Sequence, residues 1–191
     1  MSVRRQSRDV GKRNQVRVIA GRWRGRQLQF PSVMDLRPTP DRVRETLFNW
    51  LGQTLDGKTC LDLFAGSGAL GFEAASRDAD RVVLVERDRA AHAALVENAK
   101  NLRADNVELR FEDAFAFLAA DQRVFDVVFL DPPYRREALP DLLLELRSHL
   151  SPKSNVYLEA DLVPEIPSGY EVVRQSQAGR VRFLLLEFTD N

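Results

Sequence analysis

Residues 61–71 read LDLFAGSGALG, with Gly66, Gly68 and Gly71 spaced G-x-G-x-x-G directly after an apolar run. That order is what a strand turning sharply into a helix requires. The glycines let the backbone reverse and let a ligand approach it closely. The units that follow keep the same alternation. TCLDLF (59–64) has strand character, and a helix is expected from the glycine loop to about Arg77. RVVLVE (81–86), NVELRF (106–111), FDVVFL (125–130) and NVYLEA (155–160) read as further strands. A helix from about Asp88 to Arg103 carries Ala91, Leu95, Ala99 and Leu102. A second, near 137–149, carries Leu139, Leu142, Leu143, Leu146 and, just beyond, Leu150. YEVVRQS (170–176) and RVRFLLLEF (180–188) flank a turn at Gly179 and predict an antiparallel hairpin. Strands alternating with helices imply a largely parallel sheet covered on both faces. No repeat or low-complexity segment interrupts it.

Glu86 ends the second strand, 20 residues after Gly66. An acidic group there can bind a ribose diol. This points to an adenosine-containing ligand without separating a dinucleotide from S-adenosylmethionine. Three features favour the second. Asp62 lies inside the first strand, where an anion is awkward for a pyrophosphate but suits a sulfonium and an amino group. Glu112-Asp113-Ala114 follows the third strand, where a carboxylate can accept from an adenine amino group. The fourth strand runs into Asp131-Pro132-Pro133-Tyr134. Ligands of open α/β sheets bind outside the carboxyl ends of the strands, so Asp62, Glu86, Asp113 and Asp131 converge on one rim.

DPPY suits methylation of an exocyclic amino nitrogen, whose lone pair is delocalised into its base. Two acceptors on the N–H groups would aim that lone pair, and Asp131 with a backbone carbonyl of 131–133 can supply them. Pro132 and Pro133 stiffen the turn and donate nothing. Tyr134 can stack on the base, a contact worth roughly 1–3 kcal/mol. Orientation and electrostatics then suffice, with no covalent intermediate.

Ahead of the alternating units the chain has a different character. It carries 28 basic and 28 acidic residues, but residues 1–44 hold 12 basic against 3 acidic, a net +9, and the rest carries −9. Such asymmetry suggests a segment facing nucleic acid. VRVIAGRWRGRQLQF (16–30) reads as a short hairpin turning near Gly21 or Gly25. In an extended segment Arg22, Arg24 and Arg26 would share one face. Trp23 among them is either a base-stacking platform or ordinary packing, and the segment alone leaves both open. In RPTPDRVRETLFNWLGQTL (37–55), Thr39 is the expected N-cap and Pro40 the first helical residue. Val43, Leu47, Trp50, Leu51 and Leu55 form the apolar stripe, leaving Arg42, Arg44 and Asn49 free for solvent or a ligand.

The single cysteine, Cys60, excludes an internal disulfide, and the two histidines, His92 and His149, leave no expected metal site. No apolar run reaches the roughly 18 residues of a membrane span. The basic N-terminus lacks a signal peptide's apolar stretch. A reducing cytoplasm is the expected compartment.

DLFAGSGALG, VERD (85–88), EDA and DPPY resemble the class I S-adenosylmethionine-dependent amino-methyltransferases. IAGRWRGRQL (19–28) and RPTPDRVRETLFNWL (37–51) narrow the resemblance to the bacterial 16S rRNA (guanine(966)-N(2))-methyltransferase family, over about residues 17–160. Members often have paired glycines near Gly21, where Arg22 follows here. The resemblance implies a Rossmann-like domain over 37–191, with a seven-stranded, mostly parallel sheet, helices on both faces and a C-terminal antiparallel hairpin. Residues 1–36 would form a basic tail and a small β-hairpin extension. It implies that Asp62, Phe64, Ala65, Gly66, Ser67, Gly68, Glu86, Arg87, Asp113 and Ala114 hold S-adenosylmethionine. Asp131, Pro132, Pro133 and Tyr134 would receive the guanine. Thr39 and Arg42 would close one side of the pocket, and Arg22, Arg24, Arg26 and Arg42 would bind RNA. The implied partner is 16S rRNA in the small ribosomal subunit or its assembly intermediate, met by a monomer with no membrane contact. Competing readings are adenine N6 methylation of DNA or RNA, an NAD-dependent oxidoreductase, and a non-enzymatic ribosome-assembly factor.

Overall fold

The computed structural model describes residues 13–32, 39–132, 139–179 and 181–189. Five strands, β3 (Thr59–Asp62), β4 (Arg81–Val85), β5 (Val107–Arg110), β6 (Phe125–Leu130) and β7 (Leu150–Ala160), run parallel. β8 (Tyr170–Ala178) and β9 (Val181–Phe188) complete a sheet of order β5-β4-β3-β6-β7-β9-β8, with β9 antiparallel to both neighbours. This is the expected seven-stranded sheet with its C-terminal hairpin. The chain winds outward from β3 in both directions, so a crevice opens between the carboxyl ends of β3 and β6.

Period-two alternation divides the core between the faces. Cys60, Val82, Leu84, Val127, Phe129, Tyr157, Phe183 and Leu185 pack in one cluster with α1 (Asp41–Leu51), α2 (Ala69–Ser76) and α3 (Arg89–Leu102). Leu61, Val83, Val128, Leu158 and Leu184 pack in the other with α4 (Ala114–Ala120) and α5 (Leu139–Leu146). α4 was not anticipated. Its seven residues AFAFLAA give too short a helical period to register, and Asp113 N-caps it. Leu150 begins β7 rather than closing the preceding helix, because a 3-10 turn over Arg147–His149 intervenes.

α1 departs from expectation at its start. Pro40 is the N-cap, one residue later than expected, and Thr39 makes no cap; it is buried instead. Arg44, expected to be free, is fully buried. Its guanidinium bonds Asp41 Oδ1 (2.7 Å) and the carbonyls of Arg17 (2.9 Å) and Thr39 (3.2 Å). Phe48 is buried as well, its ring tilted against Phe129 with centroids 6.0 Å apart.

β1 (Arg13–Arg17) and β2 (Gln27–Pro31) form the expected small hairpin, joined through a 3-10 turn at Gly21–Trp23. The hairpin is part of the core. Val16, Val18, Trp23, Leu28 and Phe30 are buried, and Trp23 packs edge-on to Phe72 of α2. Asn98 of α3 exchanges two hydrogen bonds with the backbone of Gln29, at 3.0 and 2.9 Å. Gly21 has φ +76°, and a Cβ there would lie 1.8 Å from the Ser76 carbonyl oxygen, so the turn needs glycine to reach α2.

Glu73 of α2 fastens this extension. It is fully buried and accepts the Ile19 (2.7 Å) and Ala20 (3.0 Å) amides and Arg77 Nε (2.8 Å), with Arg44 Nη1 at 3.6 Å. Removing one partner of such an assembly leaves buried charges uncompensated. Glu73→Ala is therefore expected to cost about 3–5 kcal/mol, measured as the shift in urea unfolding. A loss under 1 kcal/mol would show that the extension is held by packing alone.

Candidate active site

The carboxyl edge of the parallel strands carries every residue expected to hold the cofactor. Asp62 ends β3, the 64–68 loop follows, Glu86 and Arg87 follow β4, and Asp113 and Ala114 lie at the start of α4 after β5. Asp131 and Pro132 follow β6, while Pro133 and Tyr134 lie outside the described residues.

Asp62 points to the α2 face. Its Oδ2 accepts the amide of Gly71 at 2.9 Å, satisfying one of the orphan donors in the helix's first turn. The approach is close: a Cβ on Gly71 would meet Leu84 at 2.8 Å and Asp62 Oδ2 at 3.1 Å. Gly68 caps the helix in the left-handed region, at φ +76°. Three more amides of this segment are engaged. Gly66 donates to Glu86 Oε2 (2.8 Å), Gly68 to the Ala65 carbonyl (2.6 Å), and Ala69 to Ser67 Oγ (3.3 Å). Glu86 Oε1 accepts the Asp88 amide at 2.6 Å, which orders the turn into α3. Asp113 Oδ1 accepts the Phe115 amide at 3.0 Å, and Arg87 stands 3.5 Å from Oδ2. Phe111 and Phe115, which the sequence reading passed over, lie exposed on either side of Asp113. Two phenylalanines flanking the Glu112-Asp113-Ala114 segment were the signal available for them.

The rim is electrostatically tense. Burial, aided by the Glu86 charge, pushes the Asp62 carboxyl up to about 7 against the opposing amides of Gly71 and Phe64. Burial, then the Glu159 and Asp62 charges, holds the Asp131 carboxyl well above the ordinary range. Glu159, at the end of β7, was not singled out in the sequence. It is raised by burial and held by hydrogen bonds from Tyr157 and Thr39. Alternation along Val156-Tyr157-Leu158-Glu159 could have marked it, since it places Tyr157 and Glu159 on the face that Asp62 and Asp131 share.

The arginines are arranged differently from the expectation. Arg22, Arg24 and Arg26 do not line one strand face, because the 3-10 turn breaks the extended segment there. Arg22 bonds Asn106 and lies 3.7 Å from Asp105, while Arg26 donates to the Asn101 carbonyl at 3.1 Å. These partners lie where α3 leads into β5, at the amino edge of the sheet and opposite the carboxylates. Trp23 is buried, which settles its role as packing, with Arg22 over its ring at 4.5 Å. Arg42 is exposed on α1, close in sequence to Thr39 and thus to the carboxyl edge.

The family model described as conserved hypothetical protein 95 matches residues 16–187. The ribosomal RNA small subunit methyltransferase D of Escherichia coli K12 is 43% identical over 178 residues, covering 91% of this chain and 90% of the relative. The protein of the same name from Haemophilus influenzae is 39% identical, covering 92% and 95%. The solved structure of the Escherichia coli yhhF protein superposes with a TM-score of 0.83 at 39% identity, covering 92% of this chain and 99% of that one.

The raised Asp62 carboxyl carries a sign. Its folded form binds a proton more tightly than its unfolded form, so this group's contribution to stability is complete below about pH 4 and is lost as pH rises to about 7. In Asp62→Asn, which keeps an acceptor for Gly71, that part of the decline should vanish. Urea midpoints measured from pH 4 to 8 check this; parallel curves for both proteins would refute it.

Proposed function

The chain belongs to the conserved hypothetical protein 95 family, and from that membership and the rim's geometry we propose that it methylates the N2 amino group of a guanine in small-subunit 16S rRNA, using S-adenosylmethionine. The observation that carries the choice of cofactor is the state of the glycine loop. The amides of Gly66, Gly68, Ala69 and Gly71 are all turned inward, two of them onto carboxylates. A dinucleotide's pyrophosphate needs such amides free at the helix N-terminus. A rim of carboxylates around an engaged loop fits a cationic ligand instead. Asp62 lies toward the ligand's amino end, Glu86 faces the ribose hydroxyls, and Asp113 with Ala114 meets the adenine.

The bound cofactor supplies an electrophilic methyl group on a sulfonium. The protein's own work is orientation. Asp131 accepts one N–H of the guanine amino group, and a backbone carbonyl of Asp131 or Pro132 accepts the other. Pro132, with no N–H, competes for neither. The Asp131 carboxylate is also placed to receive the proton that the nitrogen loses. To reach the turn the base must leave its stack.

RNA would be drawn to the rim by exposed basic groups. Arg42 is the best placed, and Arg24 is exposed, whereas Arg22 and Arg26 also brace the loop before β5. We take the enzyme to act as a monomer in the cytoplasm, on the small subunit or its assembly intermediate.

The direct test is mass spectrometry of 16S rRNA after purified, unmethylated small subunits react with the protein and S-adenosylmethionine. N2-methylguanosine is expected; N6-methyladenosine or no product overturns the reading. Asp131→Ala should lower the rate by at least about 100-fold, as loss of a positioned acceptor does. Arg42→Ala should weaken subunit binding and reduce its salt slope by about 1, the release of one counterion. An unchanged slope removes Arg42 from the RNA surface.

A further inference from the structure

The acceptor Asp131 does not stand alone. Leu130 pairs with Leu158 between parallel β6 and β7, so Asp131 and Glu159 follow side by side at the ends of adjacent strands. Tyr157, two residues earlier on the same face, donates its hydroxyl to Glu159 Oε1 at 2.7 Å. Thr39, from the segment that enters α1, hydrogen-bonds the same carboxylate. Glu159 is thereby fixed from two separate elements. The other titratable group facing the pair is Asp62 on β3, itself beside Glu86. Arg44 on α1 is directed to Asp41, Glu73 and the carbonyls of Arg17 and Thr39. No cation therefore acts on Asp131 or Glu159 among the described residues.

We infer that Glu159 is a positioning residue for the methyl transfer: held by Tyr157 and Thr39 beside Asp131 at the ends of adjacent strands, it forms a coupled carboxylate pair that makes Asp131 the stronger proton acceptor. Two adjacent half-buried carboxylates cannot both ionise cheaply, so the protons leave the pair in two separated steps. In the reaction the nitrogen–methyl bond forms and the sulfur–methyl bond breaks, its electron pair staying on sulfur. The nitrogen gives one proton to a carboxylate oxygen of Asp131, from which it passes to solvent. The like charge of Glu159 strengthens that acceptor at the moment it is needed. Thr39 links the device to α1, so the segment that carries Arg42 and the group that tunes Asp131 are joined through one hydrogen bond.

This inference rests on the reading of Asp131 as the amino acceptor, and two measurements test it separately from that reading. The first is the pH profile of kcat on small subunits for the wild type and Glu159→Gln. Glu159→Gln should move the acid limb down by about one pH unit or more and lower the plateau about tenfold, with KM for subunits within about twofold. An acid limb left where the wild type has it overturns the proposal. The second is infrared titration of the protein without RNA. The wild type should show a protonated-carboxyl band persisting above the ordinary carboxylate range, and both Asp131→Asn and Glu159→Gln should lose part of it, leaving the share that Asp62 contributes. Survival of the whole band in Glu159→Gln would refute the coupled pair. A wild type unable to methylate subunits would sink the proposed function, while the infrared result would still judge the carboxylate pair.

Discussion

The buried carboxylate of Glu73 is the contact on which the rest of the molecule leans. A lone charge in a core of this kind is prohibitive, and Glu73 is tolerated because two backbone amides and two guanidinium groups surround it. The four donors come from three stretches of chain: the two amides from the β-hairpin extension, Arg44 from α1, and Arg77 from the end of α2. Satisfying one charge thus fixes three pieces against each other. Arg44, drawn in by Glu73, then holds the carbonyls of Thr39 and Arg17, which sets where α1 begins. That in turn brings Thr39 to the end of β7, where Glu159 waits. A structural ion cluster remote from the rim in this way determines which groups stand at the carboxyl edge of the sheet.

The rim repeats the theme with the opposite outcome. At Glu73 cations balance the buried anion. At Asp62, Asp131 and Glu159 none does among the described residues, and burial drives the carboxyls upward instead. An acidic cluster short of cations is a poor contribution to stability and a good receptor for a positively charged ligand and an amino group. The cost is accepted where chemistry is done and avoided where only folding is at stake. The zero net charge of the chain hides this division, since most of the basic excess lies ahead of the sheet and the acidic excess includes the rim.

Much of this was legible before any coordinates. The order of strands and helices and the glycine loop with Glu86 one strand later could be read because each depends on local chemistry: β-branched runs and backbone reversal. The short helix α4 escaped because seven residues carry little periodicity. Thr39 looked like a cap because its neighbours are those of a cap, yet its side chain found a stronger demand at Glu159. Arg44 looked free because charge normally implies solvent, and the buried Glu73 reverses that rule. The arginine stripe of the hairpin assumed an extended segment that Gly21 converts to a 3-10 turn.

The sequence by itself determined the doubly wound sheet and the placement of Asp62, Glu86, Asp113 and Asp131 along its edge, because strand periodicity and turn chemistry act over a few residues. Only the tertiary structure decided what those groups do to one another. Whether a carboxylate is balanced by arginine or left beside another carboxylate depends on residues tens of positions apart being brought within a few ångströms. That is why Glu73 became an anchor, Glu159 a neighbour of Asp131, and Trp23 a piece of the core.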